Sequence, residues 1–423
     1  MTRKSKFKQN VLVGTIILSA TALAACGSSG GDSTNADGKL ELVVANSQWL
    51  DALRGENLWG AVKAYDDAQS EVVLVQQAIP SESIDTKIAT ELGAGQGPDI
   101  MIIQDKLFMT VRDALLPIDD VVAEAENLNE TNDAAIVDGE YRGVAWQRAA
   151  YALIYNELLL EEAGVEPPTN VDELIEAGQA VQEATGTIGF ASRHSVNEIT
   201  NWYFDFQNWL QGYGGGIAPD GTFAIDSPEN VAAVEAFKQV YDADIIPKGD
   251  DFPTQRTRMK EGGIAMSIDN SGGTLNIASG ASEDLLRIGA APLPFDHPGA
   301  HQQLFVAINK NISPEKQEAA KDFIRWFIGP EAQDLMRSVS GPDRLATDVP
   351  IPDDVLTESP WMAAFEQAAV ASNSTLVSGH EGDTAQVARI VMEAVEQVLT
   401  GDADAATVLA DAQQQTEAAF ADD

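Results

Sequence analysis

Apolar positions along the chain alternate between two periods. LELVVA at Leu40–Ala45 and VVLVQQA at Val72–Ala78 read as buried strands, and between them Leu58, Val62 and Tyr65 recur on one helical face. A helix is predicted around Ile84–Leu92, broken by Gly-Gln-Gly-Pro before a strand at Asp99–Ile103. A second unit of the same kind starts near Tyr151 with ALIYN, followed by a helix capped at Thr169 or Asn170, with Glu173 three residues after the latter. Next come a strand IGFA at 188–191 and a helix opened by Ser227-Pro228-Glu229, with Val231, Val234, Phe237 and Tyr241 as its apolar stripe. Ile264–Ile268, Ile288–Pro292 and Leu304–Ile308 read as further strands, Ser313-Pro314-Glu315 opens another helix, and the last sixty residues are helical. Strand–helix alternation predicts an α/β protein of two units, each a mainly parallel sheet flanked by helices, with a helical C-terminal part. A length of 423 residues suits two or three domains.

Charge narrows the partners. There are 26 Lys+Arg against 66 Asp+Glu, a net of −40, and Arg3, Lys4, Lys6 and Lys8 lie within the first ten residues. The remainder carries −44, which repels nucleic acid and anionic headgroups. An acidic balance also fits a cation or polyamine receptor, although a solvated acidic surface is its usual meaning. The basic run MTRKSKFK, the apolar stretch Val11–Ala22 and the small residues before Cys26 have the order of a secretory signal over residues 1–25, and the apolar stretch is too short to span a bilayer. Cys26 is the sole cysteine, so no disulfide framework is available. Leu-Ala-Ala-Cys resembles the bacterial lipobox, which implies a lipid on Cys26 and no other contact with the bilayer. Residues 26–38, with the run GSSGGDSTNADG, have the composition of a flexible tether.

Catalytic signatures are missing. The sequence holds no H-E-x-x-H or phosphate-loop motif, its G-x-S-x-G match at Gly27–Gly31 is part of the Gly/Ser run after Cys26 rather than a strand-to-helix turn, and Gly212–Gly216 (GYGGG) lacks the Lys-Ser/Thr a phosphate loop needs. His297 and His301 are separated by Pro298 and Gly299, which forbid the helix that would align two imidazoles on a metal. No cofactor and no metal are expected. Aromatic residues beside amides at strand ends are more informative: Asn46-Ser47-Gln48-Trp49, Trp146-Gln147-Arg148 and Asn201-Trp202-Tyr203. Aromatic faces cover the CH face of a sugar ring while Asn, Gln, Asp and Arg bond its hydroxyls. Ordinary core packing is the competing role for each tryptophan, and it is preferred for Trp326, beside Phe327.

Several segments in order resemble the bacterial extracellular solute-binding proteins of ABC importers, in the large carbohydrate-binding family that includes maltose-binding protein. They are GQGPDIMI at 95–102, YALIYNELLLEEAGVEPPTNVDELIEAG at 151–178, SPENVAAVEAFKQVYD, GGIAMSID, IGAAPLP and the Ser-Pro-Glu-Lys helix. The resemblance implies two lobes, 39–148 plus 288–330 and 149–287 plus 331–423, that close by hinge motion on a ligand between them. It implies a binding component rather than an enzyme, a monomer that delivers its ligand to importer permease subunits from the outer face of the cytoplasmic membrane. A lipid-anchored glycosidase or lyase is the alternative. Family contacts fall on Asn46, Gln48 and Trp49, on Ser81 and Glu82, on Gln104 and Asp105, on Trp146 and Arg148, on Trp202 and Tyr203, and on Asn270 and Ser271. Where many members carry Gly-Pro-Trp, this chain has Asn270-Ser271-Gly272, so one stacking surface is missing. Arg148 has two readings: a salt bridge, or a bidentate grip that would make a sugar acid or glycerol phosphate ester the ligand.

Overall fold

The computed structural model describes residues 34–51, 54–401 and 403–421. The 1–25 signal, Cys26 and most of the tether lie outside these residues, as does the side chain of Glu82. Strands form where the apolar runs lie: β1 (Leu40–Asn46), β2 (Val72–Ala78), β3 (Ile100–Gln104), the short β4 (Ile136–Val137) and β5 (Glu140–Tyr141), and the long β6 (Val144–Asn156). They continue as β7 (Ile188–Ala191), β8 (Ile264–Asn270), β9 (Ile288–Ala291), β10 (Ala300–Ile308) and the two-residue β11 (Asn373–Ser374).

β6 is the backbone of both halves. Its first part, through Ala150, pairs with β10, and its second, from Tyr151, pairs with β8 and β9. The hydrogen-bonded order is β2-β1-β3-β10-β6-β8-β7, with β9 beside β6 and β11 beside β10. The sheet is mixed, not mainly parallel. β1 runs parallel to β2 and β3, and β7 to β8, but every pairing of β6 or β10 with these strands or with each other is antiparallel. Strands that carry the chain between lobes reverse direction relative to strands built from right-handed crossovers within one.

Each half of the sheet buries both faces under helices. In the first lobe Val44, Trp146 and Val306 face one apolar cluster, and their strand neighbours Ala45, Phe305 and Ala307 face another. In the second, Leu153, Met266 and Ile268 face a cluster with the helix Ile199–Gly212, while Ala152, Ile154 and Ile264 face the opposite one. The expected lobe boundaries move accordingly. β9 belongs to the second lobe, because it pairs with Leu153–Asn156. Met336, Leu345 and Ala346 pack with Trp146 and Phe327 in the first, so the last crossing comes between Ala346 and Ile351 rather than at 330.

Helix starts follow their caps. Asn170 Oδ1 accepts from the Glu173 amide at 2.9 Å while Glu173 Oε2 accepts from the Thr169 amide at 2.8 Å. Ser227 and Ser313 cap the helices Pro228–Asp242 and Pro314–Phe327, each with proline in the first turn. Among the described residues no helix is long and apolar enough to cross a membrane, and no group of three metal-ligating side chains comes together.

Candidate functional site

The carboxyl ends of β1, β2, β3 and β8 converge on one cleft between the lobes, as in open α/β sheets generally. The cavity there measures about 320 Å³. Seven carboxamides line it: Gln48 after β1, Gln104 at the end of β3, Gln147 on β6, Gln302 on β10, Asn201 on the helix Ile199–Gly212, Asn270 at the end of β8, and Asn276 on the helix Ser271–Ala278. Ser47, Ser81, Ile84, Leu107 and Leu304 complete much of the wall, and no aromatic ring is among the described lining residues.

Of the residues singled out from sequence, Gln48, Ser81, Gln104 and Asn270 line this cavity. The others do not. Asn46 and Trp146 stand behind Gln48 instead: the Asn46 amide and Trp146 Nε1 donate to Gln48 Oε1 at 3.3 and 2.8 Å. They fix its side chain without facing the cleft. Trp146 is fully buried and stacks on Phe327 with ring centroids 5.4 Å apart. Trp49 is buried edge-on against Trp59 and Trp146, with Nε1 donating to the Val44 carbonyl. Trp202 and Tyr203, each 1% exposed, lie in the second lobe's core, and neither Nε1 of Trp202 nor the Tyr203 hydroxyl has a hydrogen-bond partner among the described residues. Burial pushes the Asp105 carboxyl up to about 7, and it sits behind Gln104 at the start of the helix Asp105–Val111. Ser271 is buried and donates its hydroxyl to Asp343.

Arg148 takes the salt-bridge role rather than the ligand-gripping one. Its Nε donates to Gln303 Oε1 at 3.3 Å, Nη1 faces Glu130 at 3.8 Å, and burial depresses its pKa. Gln303 is its partner in the β6–β10 register, so the two point to the same side of the sheet, away from Gln147 and Gln302.

The residues that sequence reasoning missed are the near neighbours of those it chose. Side chains alternate along a strand, so Gln147 and Ala149 face the cleft while Trp146 and Arg148 face the core. Asn201 occupies the cleft-facing position of its helix and Trp202 the next one, turned about 100° away. The signal was the amide within each aromatic triplet.

Charge in the cleft is compensated. Arg54 Nη1 meets Asp51 at 3.4 Å, and its Nη2 meets Asp343 at 3.3 Å and Gln147 Oε1 at 3.4 Å. Arg256 holds Asp269 through Nε at 2.7 Å and through Nη2. Burial raises the carboxyl pKa of Asp51 and Asp343 against the pull of Arg54. For Arg256 burial alone would lower the pKa, but Asp269 outweighs it and the net shift is upward. Gly273 makes this pair possible, since a Cβ there would overlap both Arg256 and Asp269.

Known proteins share this architecture. Maltose-bound MalE3 of T. maritima superposes with a TM-score of 0.77 at 20% identity, covering 90% of this chain and 100% of that one. A putative binding protein of Brucella abortus is 26% identical over 335 residues, 75% of this chain and 77% of its own. An arabinooligosaccharide-binding protein of Halalkalibacterium halodurans is 26% identical over 309 residues, 66% of this chain and 65% of its own. The family model described as bacterial extracellular solute-binding protein matches residues 60–363, well over half of the chain, and this protein belongs to that family.

Proposed function

We propose that the chain is the capture component of an ABC importer and that its ligand is a neutral polyhydroxylated compound, a sugar or short oligosaccharide. The convergence of seven carboxamides carries this reading. An amide offers both donors and an acceptor, which matches a hydroxyl, whereas an anion calls for unpaired cations. Both arginines of the cleft already hold carboxylates. In place of aromatic rings, Ile84, Leu107 and Leu304 present aliphatic surface to the CH face of a ring. The relatives named for arabinooligosaccharide and maltose support the ligand class. Hinge closure on the ligand then presents a docked form to the permease, and lipid on Cys26 holds the protein at the outer face of the membrane.

Native mass spectrometry of freshly purified protein, followed by calorimetry with neutral sugars, sugar acids and glycerol phosphate esters, tests the ligand class. The expected result is a neutral sugar bound and released intact. Preferential binding of an anion, or recovery of a cleaved sugar, overturns the reading. Cys26→Ser is expected to move the protein from the membrane fraction to the soluble one, and retention in membranes would refute the anchor.

A further inference from the structure

A second cavity, of about 530 Å³, opens beside the cleft and shares four wall residues with it: Asp51, Arg54, Gly272 and Asn276. Its size lies within the range of small-molecule sites. Its chemistry differs from that of the cleft. Leu275, Val339, Ile351, Val355 and Met362 supply an aliphatic wall, of which Ile351 and Met362 are buried. The polar members Asn57, Ser279, Ser338 and Asp354 are exposed, and the buried Arg337 has its guanidinium engaged by the carbonyls of Val349, Gly341 and Asp343, so the polar groups left for a ligand lie towards the outer edge. A sugar ring placed against the inner wall would leave hydroxyls without partners, at a cost that apolar groups do not incur.

Arg54 stands between the two compartments. Its terminal nitrogens are engaged by Asp51, Asp343 and Gln147, while Nε is buried and has no partner among the described residues. Arg54 therefore marks the junction, where the bond linking a polar part to an apolar part of one molecule would lie. Gly341, with φ of 62°, closes the far side by letting the Leu275 side chain approach the backbone.

We propose that the second compartment receives an apolar substituent, an alkyl or aryl aglycone, of the ligand whose polyhydroxylated part occupies the cleft. The protein then selects amphiphilic glycosides over the corresponding free sugars. This inference rests on the sugar reading of the cleft and extends it.

Calorimetric titration with one series of glycosides tests it: free sugar, methyl glycoside, p-nitrophenyl glycoside and octyl glycoside of whichever sugar binds best. The aryl or octyl member is expected to bind about tenfold tighter than the methyl glycoside, a gain in keeping with removing one apolar group from water. In Val355→Asp, a substitution at an exposed position, that ratio is expected to collapse towards one. Equal affinity of methyl and apolar glycosides overturns the inference and leaves the cleft reading standing. A ratio that survives in both Val355→Asp and Leu275→Asn overturns it as well. Binding by no member of the series removes both readings.

Discussion

Ser271 donates its hydroxyl to the buried carboxylate of Asp343, and this contact fastens the helix Ser271–Ala278 of the second lobe to the loop after Ser340 in the first. The same carboxylate receives Arg54 Nη2 at 3.3 Å, so one acid joins a helix on each side of the cleft.

Asp343→Ala is expected to destabilise the protein by about 3 kcal/mol, because it leaves a largely buried guanidinium without its main counter-charge. Ser271→Ala is expected to cost less, about 1–2 kcal/mol. Denaturant unfolding of both variants checks the order. Equal losses would mean that the arginine gains little from Asp343.

Asn201 and Trp202 give opposite results on adjacent positions. Trp202→Ala is expected to cost about 3–5 kcal/mol of fold stability, since the ring is buried in the second lobe's core. Asn201→Ala is expected to leave the melting temperature within a few degrees and to weaken ligand binding roughly tenfold, through loss of a hydrogen-bonding amide in the cleft. Affinity and melting temperature measured on the same two proteins decide the matter.

Neighbouring glycines should also differ. A methyl group at Gly273 overlaps the Arg256–Asp269 pair, whereas at Gly272 the nearest atom is Arg54 Nη1 at 3.3 Å, the end of a flexible side chain. Gly273→Ala is therefore expected to displace Arg256 from the cleft wall and weaken binding, with Gly272→Ala milder in both affinity and stability. The reverse order would show that the ion pair is not confined as the geometry requires.

His301 supplies a dependence on pH. Burial, reinforced by Arg148, lowers its pKa to about 3, and its Nδ1 lies 3.0 Å from the Ser372 hydroxyl. The unfolded chain takes up a proton on this imidazole below about pH 6.5, and the folded chain does not. Its contribution is intact above about pH 6.5 and is lost as the pH falls towards 3, at a limit of about 1.4 kcal/mol per unit. His301→Gln is expected to shrink the acid sensitivity of unfolding between pH 6.5 and 4. Parallel wild-type and variant profiles across that range would contradict the assignment.

The elements were legible because burial and period coincide in them. Leu40, Leu42 and Val44 are inward on β1, and Val387, Val391, Ala394 and Val398 are inward on the helix Thr384–Thr400. The candidate cleft can be compared with the sequence reading only by which side chains line it. Resemblance and strand ends led to Gln48, Ser81, Gln104 and Asn270. Which of Trp146, Gln147 and Arg148 turns to the cleft depends on the phase of β6 against both of its partners, and no local pattern sets that phase when both faces are buried. The direction of β10 and the assignment of β9 to the second lobe are likewise long-range pairings, invisible to a reading of neighbouring residues.

β6 therefore has something like a reading frame. One residue gained or lost within it would rotate Gln147 into the hydrophobic interior and bring Trp146 or Arg148 into the cleft, and it would misalign β8 and β9 in the same event. Descendants of this chain can alter what the strand presents to a ligand only by exchanging one side chain for another at constant length. Insertions that reshape the site enter instead through the connections around it, among them the turn after β1 and the segment between Gly341 and Met362. Those are the places to randomise when a library is built to redirect the protein to a new compound.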